Sequence, residues 1–350
     1  MSTDNLDGYN LKQALVNGLV NEDVMQTITD LTRDIPTLFL DMVSSGSHGN
    51  EYAEWTIDAL QAPNPLNAQI DGRDSTDNDA VVGKRQGNHS QISTKDIAVS
   101  TRADESDTIG FQKATTYQLS MRSQELRRDT EAACLANNAS VVGTDAVAGV
   151  SGSLATFIDN NVSLAADGTA GGFDVGGGGT TVTTAVVHGT PEALTETKIR
   201  DVAQLIYEAG GNPSVLMMVP SVCRKLSEYM FTSSARIATL LNDTGPEATA
   251  STAKGSVNVI VTDFNVTLEF HGNRLMPNYD WATTDANSQA LLIDPSKAEV
   301  SYLNGFRAER LAKTGLSEKW LMNGDWTLKV MNKDAFGLIG SIDNSAAVTA

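Results

Sequence analysis

The chain has little of what most protein chemistry uses. In 350 residues there are two cysteines and four histidines. Cys134 and Cys223 fall in stretches that read as helices, with no Cys-x-x-Cys spacing and no ligand set beside them. That pattern argues against disulfides and thiolate metal sites and for buried free thiols in a reducing cytoplasm. His48, His89, His188 and His271 are scattered without a His-Glu-x-x-His or other paired spacing, so no metal and no cofactor is expected. No Gly-x-Ser-x-Gly elbow is present to expose an acyl-transfer serine. The run Gly176-Gly177-Gly178-Gly179 is followed by Thr180-Thr181, with no lysine and no helix pattern, which argues against a phosphate-cradling loop. Flexibility at a lid or a symmetry axis suits it better. Glu51, Glu54 and Asp58 share one segment but occupy alternate, solvated positions, so a general acid and base pair has no support.

Long apolar runs are also missing. None approaches the ~18 residues of a membrane-spanning helix, and Met1-Ser2-Thr3-Asp4-Asn5 has neither the basic nor the apolar segment of a signal peptide. The expectation is a soluble intracellular protein that meets no membrane. Basic residues are scarce, 25 against 43 acidic ones, for a net charge of −18. Such a surface repels phosphate backbones and anionic lipids rather than gripping them. The imbalance is uneven: residues 1–107 hold 18 acids and 7 bases, the remainder 25 and 18. An acid-rich first third favours basic neighbours.

With 41% hydrophobic residues, the chain can build the cores of about two ordinary domains. The stretch from Phe111 to Asn137 lacks proline and glycine and is rich in helix formers. It reads as one helix of roughly 40 Å. Leu119, Leu126 and Ala133 recur every seven residues, Tyr117, Met121 and Leu135 widen the stripe, and Arg127 and Glu131 are placed to pair on the wet face.

Around this helix the rest falls into order. Residues 1–50 carry short apolar groups, among them Leu11, Leu15, Leu19, Ile28 and Leu31, too sparse for a core, so they form an arm that needs a surface to lie on. Pro36 discourages helix at Ile35. From Asn50 to Leu60, Ala53, Trp55, Ile57 and Ala59 alternate with polar residues, a strand with one apolar face. Residues 61–91 are turn-rich and acidic, with Asp71, Asp74, Asp77 and Asp79, before Gln91–Ser100 resumes a strand pattern. About thirty residues without a core of their own are either functional or a floppy surface loop, and strand, excursion and return strand together read as a projecting hairpin.

Further on, Thr195 is placed to cap a helix carrying Ile199, Val202, Ala203 and Ile206, which Gly210-Gly211 ends. Ser214–Val219 is a buried strand, Pro220 opens a helix with Val222, Leu226 and Met230, and strands follow at Val257–Val261, Val266–Phe270 and Ala290–Pro295. This is a mixed domain with a central sheet. Strand-like blocks at Val300–Leu303 and Trp326–Met331 flank Phe306–Trp320, dense in both signs of charge: either a solvated hairpin tip or a polar interface rim.

Seven phrases, collinear over residues 30–340, resemble one family of tailed-bacteriophage major capsid proteins. They are Arg33-Asp34-Ile35-Pro36 with Phe39, Glu54 to Leu60, and Asn88-His89-Ser90-Gln91-Ile92 leading to Ala98-Val99-Ser100. Glu125 to Ala133, Ala209-Gly210-Gly211-Asn212-Pro213 and Asn273-Arg274-Leu275-Met276-Pro277 follow. The last is Leu311 to Lys319 with Asn332 and Ala335-Phe336-Gly337. Asn265 stands where the resemblance places glycine, and the glycine-rich 165–180 has no clear counterpart.

The resemblance implies an α+β chain of the Hong Kong 97-type capsid fold: N-terminal arm 1–50, extended loop 51–92, peripheral domain 93–140 with 296–350 including a spine helix 111–137, and axial domain 141–295. It implies a homo-oligomer, pentamers and hexamers closing an icosahedral head around double-stranded DNA without gripping it, with portal, scaffold and decoration proteins as further partners. No enzyme activity is expected. The extended loop would cross a neighbouring subunit, its acids landing on residues 297–334, which hold seven bases and five acids. The expected inter-subunit contacts are Trp55, Asp58, Asp71, Asp74 and Asp77 on the loop side, and Arg307, Glu309, Arg310, Lys313, Glu318, Lys319 and Trp320 on the other. A cellular nanocompartment shell of the same fold would instead dock a cargo peptide on its inner face. A soluble enzyme or binding module would show a ligand-dependent melting shift.

Overall fold

A computed structural model of the chain describes residues 35–58, 60, 62–72, 74, 83–106, 113–174, 179–232, 259–277, 287–313 and 315–349. The apolar groups expected between Leu11 and Leu31, Asp77, Asp79, Gly176–Gly178 and Val257 lie outside them. In chain order the elements are α1 (Leu38–Met42), β1 (Ser44–Ser47), β2 (Tyr52–Ile57), β3 (Lys84–His89), β4 (Gln91–Ser100), α2 (Thr101–Glu105) and α3 (Ala114–Leu135). Then come α4 (Leu154–Phe157), β5 (Val162–Ser163), β6 (Gly172–Phe173), β7 (Val182–Thr184), α5 (Glu196–Glu208), β8 (Val215–Met218) and α6 (Pro220–Thr232). The last are β9 (Val259–Val261), β10 (Thr267–Gly272), β11 (Asn287–Ile293), β12 (Ala298–Arg310), β13 (Ser317–Val330) and β14 (Gly337–Asp343).

Two larger sheets organise the described residues. The first has the order β1-β12-β13-β4. Its centre is the long β12–β13 hairpin, with Ala298 opposite Val330 and Arg310 opposite Trp320. The arm strand β1 adds to it in parallel. The second has the order β5-β14-β11-β8-β10-β9, and Val215–Met218 at its centre are wholly buried. Parallel β8 and β10 sandwich the α6 crossover in sequence, and β14 carries the chain's last part back into this sheet.

The local reasons are largely those the pattern predicts. Thr195 accepts a hydrogen bond from the Lys198 amide, Ile199, Val202, Ala203 and Ile206 are all buried, and Gly210 takes a left-handed φ of 90° at the end of α5. In β10, Leu268 and Phe270 point inward with Val266 just ahead of the strand. In β9 the faces run the other way: Ile260 is buried, while Val259 and Val261 are exposed. An edge strand covered on one side leaves its other face wet. Asn265 adopts φ 62°, so it fills the left-handed turn position that the resemblance gave to glycine. Asn265→Ala is expected to lower stability by about 1 kcal/mol, because alanine lacks the local hydrogen bonding that eases that conformation; urea unfolding checks this.

The spine helix departs from expectation in three ways. It runs from Ala114 to Leu135 rather than 111–137: Lys113 and Ala136 flank it in extended backbone, and Phe111 and Gln112 lie outside the described residues. At 1.5 Å per residue that is about 33 Å. Of the heptad stripe only Leu126 is fully buried, with Leu119 and Ala133 half-buried. Burial concentrates at the C-terminal end because there the helix reaches both sheets. Leu126 packs with Ile97, Val99 and Met322 of the first, while the Leu135 carbonyl accepts from Gln289 of the second. The third departure is the Arg127–Glu131 pair, which does not form: Arg127 reaches Asp41 instead, and Glu131 is fully buried. The acid is drawn inward by backbone donors that an i,i+4 rule does not see.

Candidate assembly surfaces

The projecting hairpin is set by register. β2 pairs with β3 from Tyr52 opposite His89 to Ile57 opposite Lys84. The return strand is therefore 84–89, and Gln91–Ser100, which continues the alternation, belongs to the first sheet beside β13. One turn at Ser90 separates two strands that read as one.

The base of this hairpin is locked into the body. Asn88 is fully buried; its Nδ2 donates to Ser151 Oγ, the Gly152 carbonyl and the Leu328 carbonyl at 2.8–3.1 Å, and its Oδ1 accepts from the Gly152 amide at 2.8 Å. The Gly87 amide donates to the Thr180 carbonyl, and Tyr52 and Thr181 hydroxyls meet at 2.5 Å. Trp55 lies 6.0 Å from the Phe157 ring, centroid to centroid.

Beyond Ile57 this anchoring ends. Leu60 is 99% exposed, Leu66 85% and Ile70 75%, and Asp58, Asp71 and Asp74 are exposed too. The three large apolar side chains were not among the expected contacts. A signal was there, since residues 59–70 carry no charge at all between Asp58 and Asp71.

On the other side, the tip of β12–β13 carries two charged groups, Arg307 with Glu309, and Arg310 and Lys313 with Glu318. Arg307 pairs with Glu309 at 2.9 Å, Arg310 with Glu318 at 2.6 Å, and Lys313 lies 4.0 Å from Glu318. These bases already hold acids of their own hairpin, and the pairs are mostly exposed, so each contributes ~0.2–1 kcal/mol at most. Lys319 is exposed. Leu316 at the tip is 83% exposed, an apolar group amid the charges. Trp320 points back toward the small core of Ile97, Val99, Leu126 and Met322. Thus the charged residues lie toward the tip of one hairpin, Trp55 packs at the base of the other, and Trp320, opposite Arg310 near the β12–β13 tip, packs against the small core.

Among the described residues no group of three or more His, Cys, Asp or Glu converges as metal ligands. Burial lowers the proton affinity of His48 and His89 and holds His188 at about 4. It raises that of the Cys134 thiol and partly shields Cys223; both are free. Burial thus favours the uncharged form of each of these groups. No described helix is long and apolar enough to cross a membrane.

Known proteins share this fold. The family model of the SU10 major capsid protein matches residues 4–343. The major capsid protein of Escherichia phage Phieco32 is 24% identical over 331 residues, covering 87% of this chain and 89% of that one. Among solved structures, a chain from Mycobacterium phage Bobi aligns with TM-score 0.55 at 12% identity, covering 94% of this chain and 98% of that one. The holo-SrpI encapsulin of Synechococcus elongatus aligns with TM-score 0.54 at 11% identity, covering 94% and 95%. At such identities the structural likeness speaks for the fold, which is the Hong Kong 97-type capsid fold.

Proposed function

The chain belongs to the SU10 major capsid protein family, and from that premise we propose how it builds a shell. It is a tailed-phage major capsid protein, a structural component of the virion capsid that works as a homo-oligomer. In our reading it forms pentamers and hexamers that close an icosahedral head around double-stranded DNA, assembled in the host cytoplasm. Residues 1–50 are the arm, 51–92 the extended loop, 93–140 and 296–350 the peripheral domain except for strand 337–343, and 141–295 the axial domain. We add 337–343 to the axial domain, because β14 hydrogen-bonds into its sheet. A net charge of −18 suits a wall that repels its packaged DNA and leaves it free to slide. Portal, scaffold and decoration proteins fit this reading as further partners.

The observation that carries the reading is the loop beyond Ile57, where Leu60, Leu66 and Ile70 stand in solvent. Full burial of one such side chain stabilises by about 1.5–3 kcal/mol, several times an exposed ion pair. We therefore assign the main inter-subunit affinity to these apolar groups, and to Asp58, Asp71, Asp74 and Asp77 the choice of a neighbour with positive charge. The tip residues Arg307, Glu309, Arg310, Lys313, Glu318 and Lys319 are the charged side of that contact. Trp55 and Trp320 contribute indirectly, by holding each hairpin in place.

Two measurements separate these roles. Changing Leu60, Leu66 and Ile70 together to serine should abolish closed particles in electron micrographs at every salt concentration. Changing Arg307 and Arg310 together to glutamate should weaken assembly mainly at low salt, since exposed charges are screened beyond about 10 Å at 0.1 M. Assembly that resists both sets of changes would remove the assigned interface. Particles that package a protein cargo by a docked peptide would instead mark the nanocompartment reading.

A further inference from the structure

One buried carboxylate joins three parts of the chain that the assembly reading treats separately. Glu131, near the C-terminal end of α3, is fully buried. Its Oε1 accepts from the Phe39 amide at 3.0 Å and from Asn273 Nδ2 at 2.6 Å, and its Oε2 accepts from the Leu40 amide at 3.1 Å. Phe39 and Leu40 belong to α1 in the arm. Asn273 directly follows β10 in the second sheet.

Asn273 is itself fully buried and cannot turn freely. Its amide donates to the Met218 carbonyl of β8 at 2.9 Å, and its Oδ1 accepts from the Leu275 amide at 2.8 Å. That bond orients the side chain so that Nδ2 faces Glu131. One turn before Glu131, Arg127 grips the same arm segment from outside: its Nε donates to Thr37 Oγ1 at 2.8 Å, and its guanidinium pairs with Asp41. The three donors to Glu131 are all neutral groups. Desolvation is the largest influence on its carboxyl and raises its proton affinity, with Asp41 adding to the rise and the three donors opposing it.

Such a carboxylate is tolerated only while its donors stay in place. Withdrawal of one leaves a buried charge under-compensated, which is costlier than the loss of an ordinary hydrogen bond. Water then enters, and the remaining two bonds weaken with it. The three partners should therefore hold or release together.

We propose that Glu131, assisted by Arg127, is a conformational coupler that makes the seating of arm segment 37–42 and the position of the 273–277 turn interdependent. When the second sheet shifts at Asn273, the arm loosens; when the arm lifts, the turn loosens. For a shell subunit this gives one switch over two surfaces, the arm that lies on a partner copy and the sheet that faces another. That use rests on the capsid reading. The coupling is a property of the single chain and can be read without any shell.

The test is amide hydrogen exchange on the unassembled full-length chain. Asn273→Ala, which touches only the sheet side, should speed exchange of the Phe39 and Leu40 amides by about tenfold or more. By reciprocity Arg127→Ala, which removes bonds to the arm and none to the second sheet, should speed exchange of the Leu275 amide. Variants that each loosen only their own side would overturn the proposal. If Asn273→Ala does not fold, Glu131→Gln serves: it keeps one acceptor oxygen and removes the other. It should free the Leu40 amide and, through it, the 273–277 turn; unchanged exchange at Leu275 would again count against the coupling. Loss of particles with the exchange pattern intact would bear on the capsid reading alone.

Discussion

Replacing residues 60–82 by a two-residue turn leaves a folded, soluble subunit that no longer closes into shells. The register supports such a cut, because β2 and β3 are paired up to Ile57 opposite Lys84 and a short turn joins paired strands without strain. Everything that seats the hairpin on the body lies below that point: Asn88, Trp55, and Tyr52 with Thr181. A wider deletion reaching Asn88 would remove a buried part of the core and confuse misfolding with failed assembly. What is lost in the narrower one is Leu60, Leu66 and Ile70 with their acidic followers. Three side chains at about 1.5–3 kcal/mol each, repeated at every copy of the contact, outweigh what scattered exposed ion pairs can supply. Sedimentation should show subunits or small oligomers, with urea unfolding close to that of the intact chain. Closed particles of normal size from this variant would end the extended-loop assignment.

The second large effect is on stability. Asn88→Ala is expected to destabilise the chain by about 3 kcal/mol or more, seen as an earlier urea midpoint. The Asn88 amide bridges three separate segments: β3, the 151–152 turn and β13. Its removal leaves the Gly152 amide and the Leu328 carbonyl buried without this partner, and each such group costs about 1–3 kcal/mol. Asn88→Asp is a sharper variant, since it keeps the acceptor for Gly152 and turns the donor side into a repelled charge. Near-native stability in both would mean that the hairpin base is held by its apolar contacts alone.

Much of the fold could be read directly. The buried strand at 215–218, the α5 stripe with its Thr195 cap, and the alternation of β2 are local patterns whose partners lie within a few residues. Other features could not. The single strand-like run across Asn88–Ser100 divides at Ser90 between two sheets, because Asn88 finds its partners at positions 151, 152 and 328. Likewise Arg127 and Glu131 have ideal helical spacing, yet each is claimed by the arm about ninety residues earlier. A rule based on spacing weighs only the pair itself.

The assembly surface shows the same division. Charge density points to Asp71, Asp74 and the arginines of the β12–β13 tip, and the structure pairs those arginines separately, Arg307 with Glu309 and Arg310 with Glu318. Each therefore already holds an acid of its own hairpin, while Leu60, Leu66 and Ile70 stand exposed. Trp55 and Trp320 looked like anchors for a partner because large aromatics often are. Within the subunit Trp55 packs beside Phe157 and Trp320 beside the Leu126 cluster, both half-buried.

By itself, then, the sequence determined the family, the α+β class, the order of the main elements and the acidic character of the chain. These follow from composition, periodicity and collinear phrases, all of which are properties of the chain before it folds. Only the tertiary structure decided where the spine helix is buried, which strand closes the projecting hairpin, and that Glu131 gathers the arm and the second sheet onto one carboxylate. Those outcomes depend on contacts between residues far apart in sequence, where desolvation and hydrogen-bond geometry override the preferences of near neighbours.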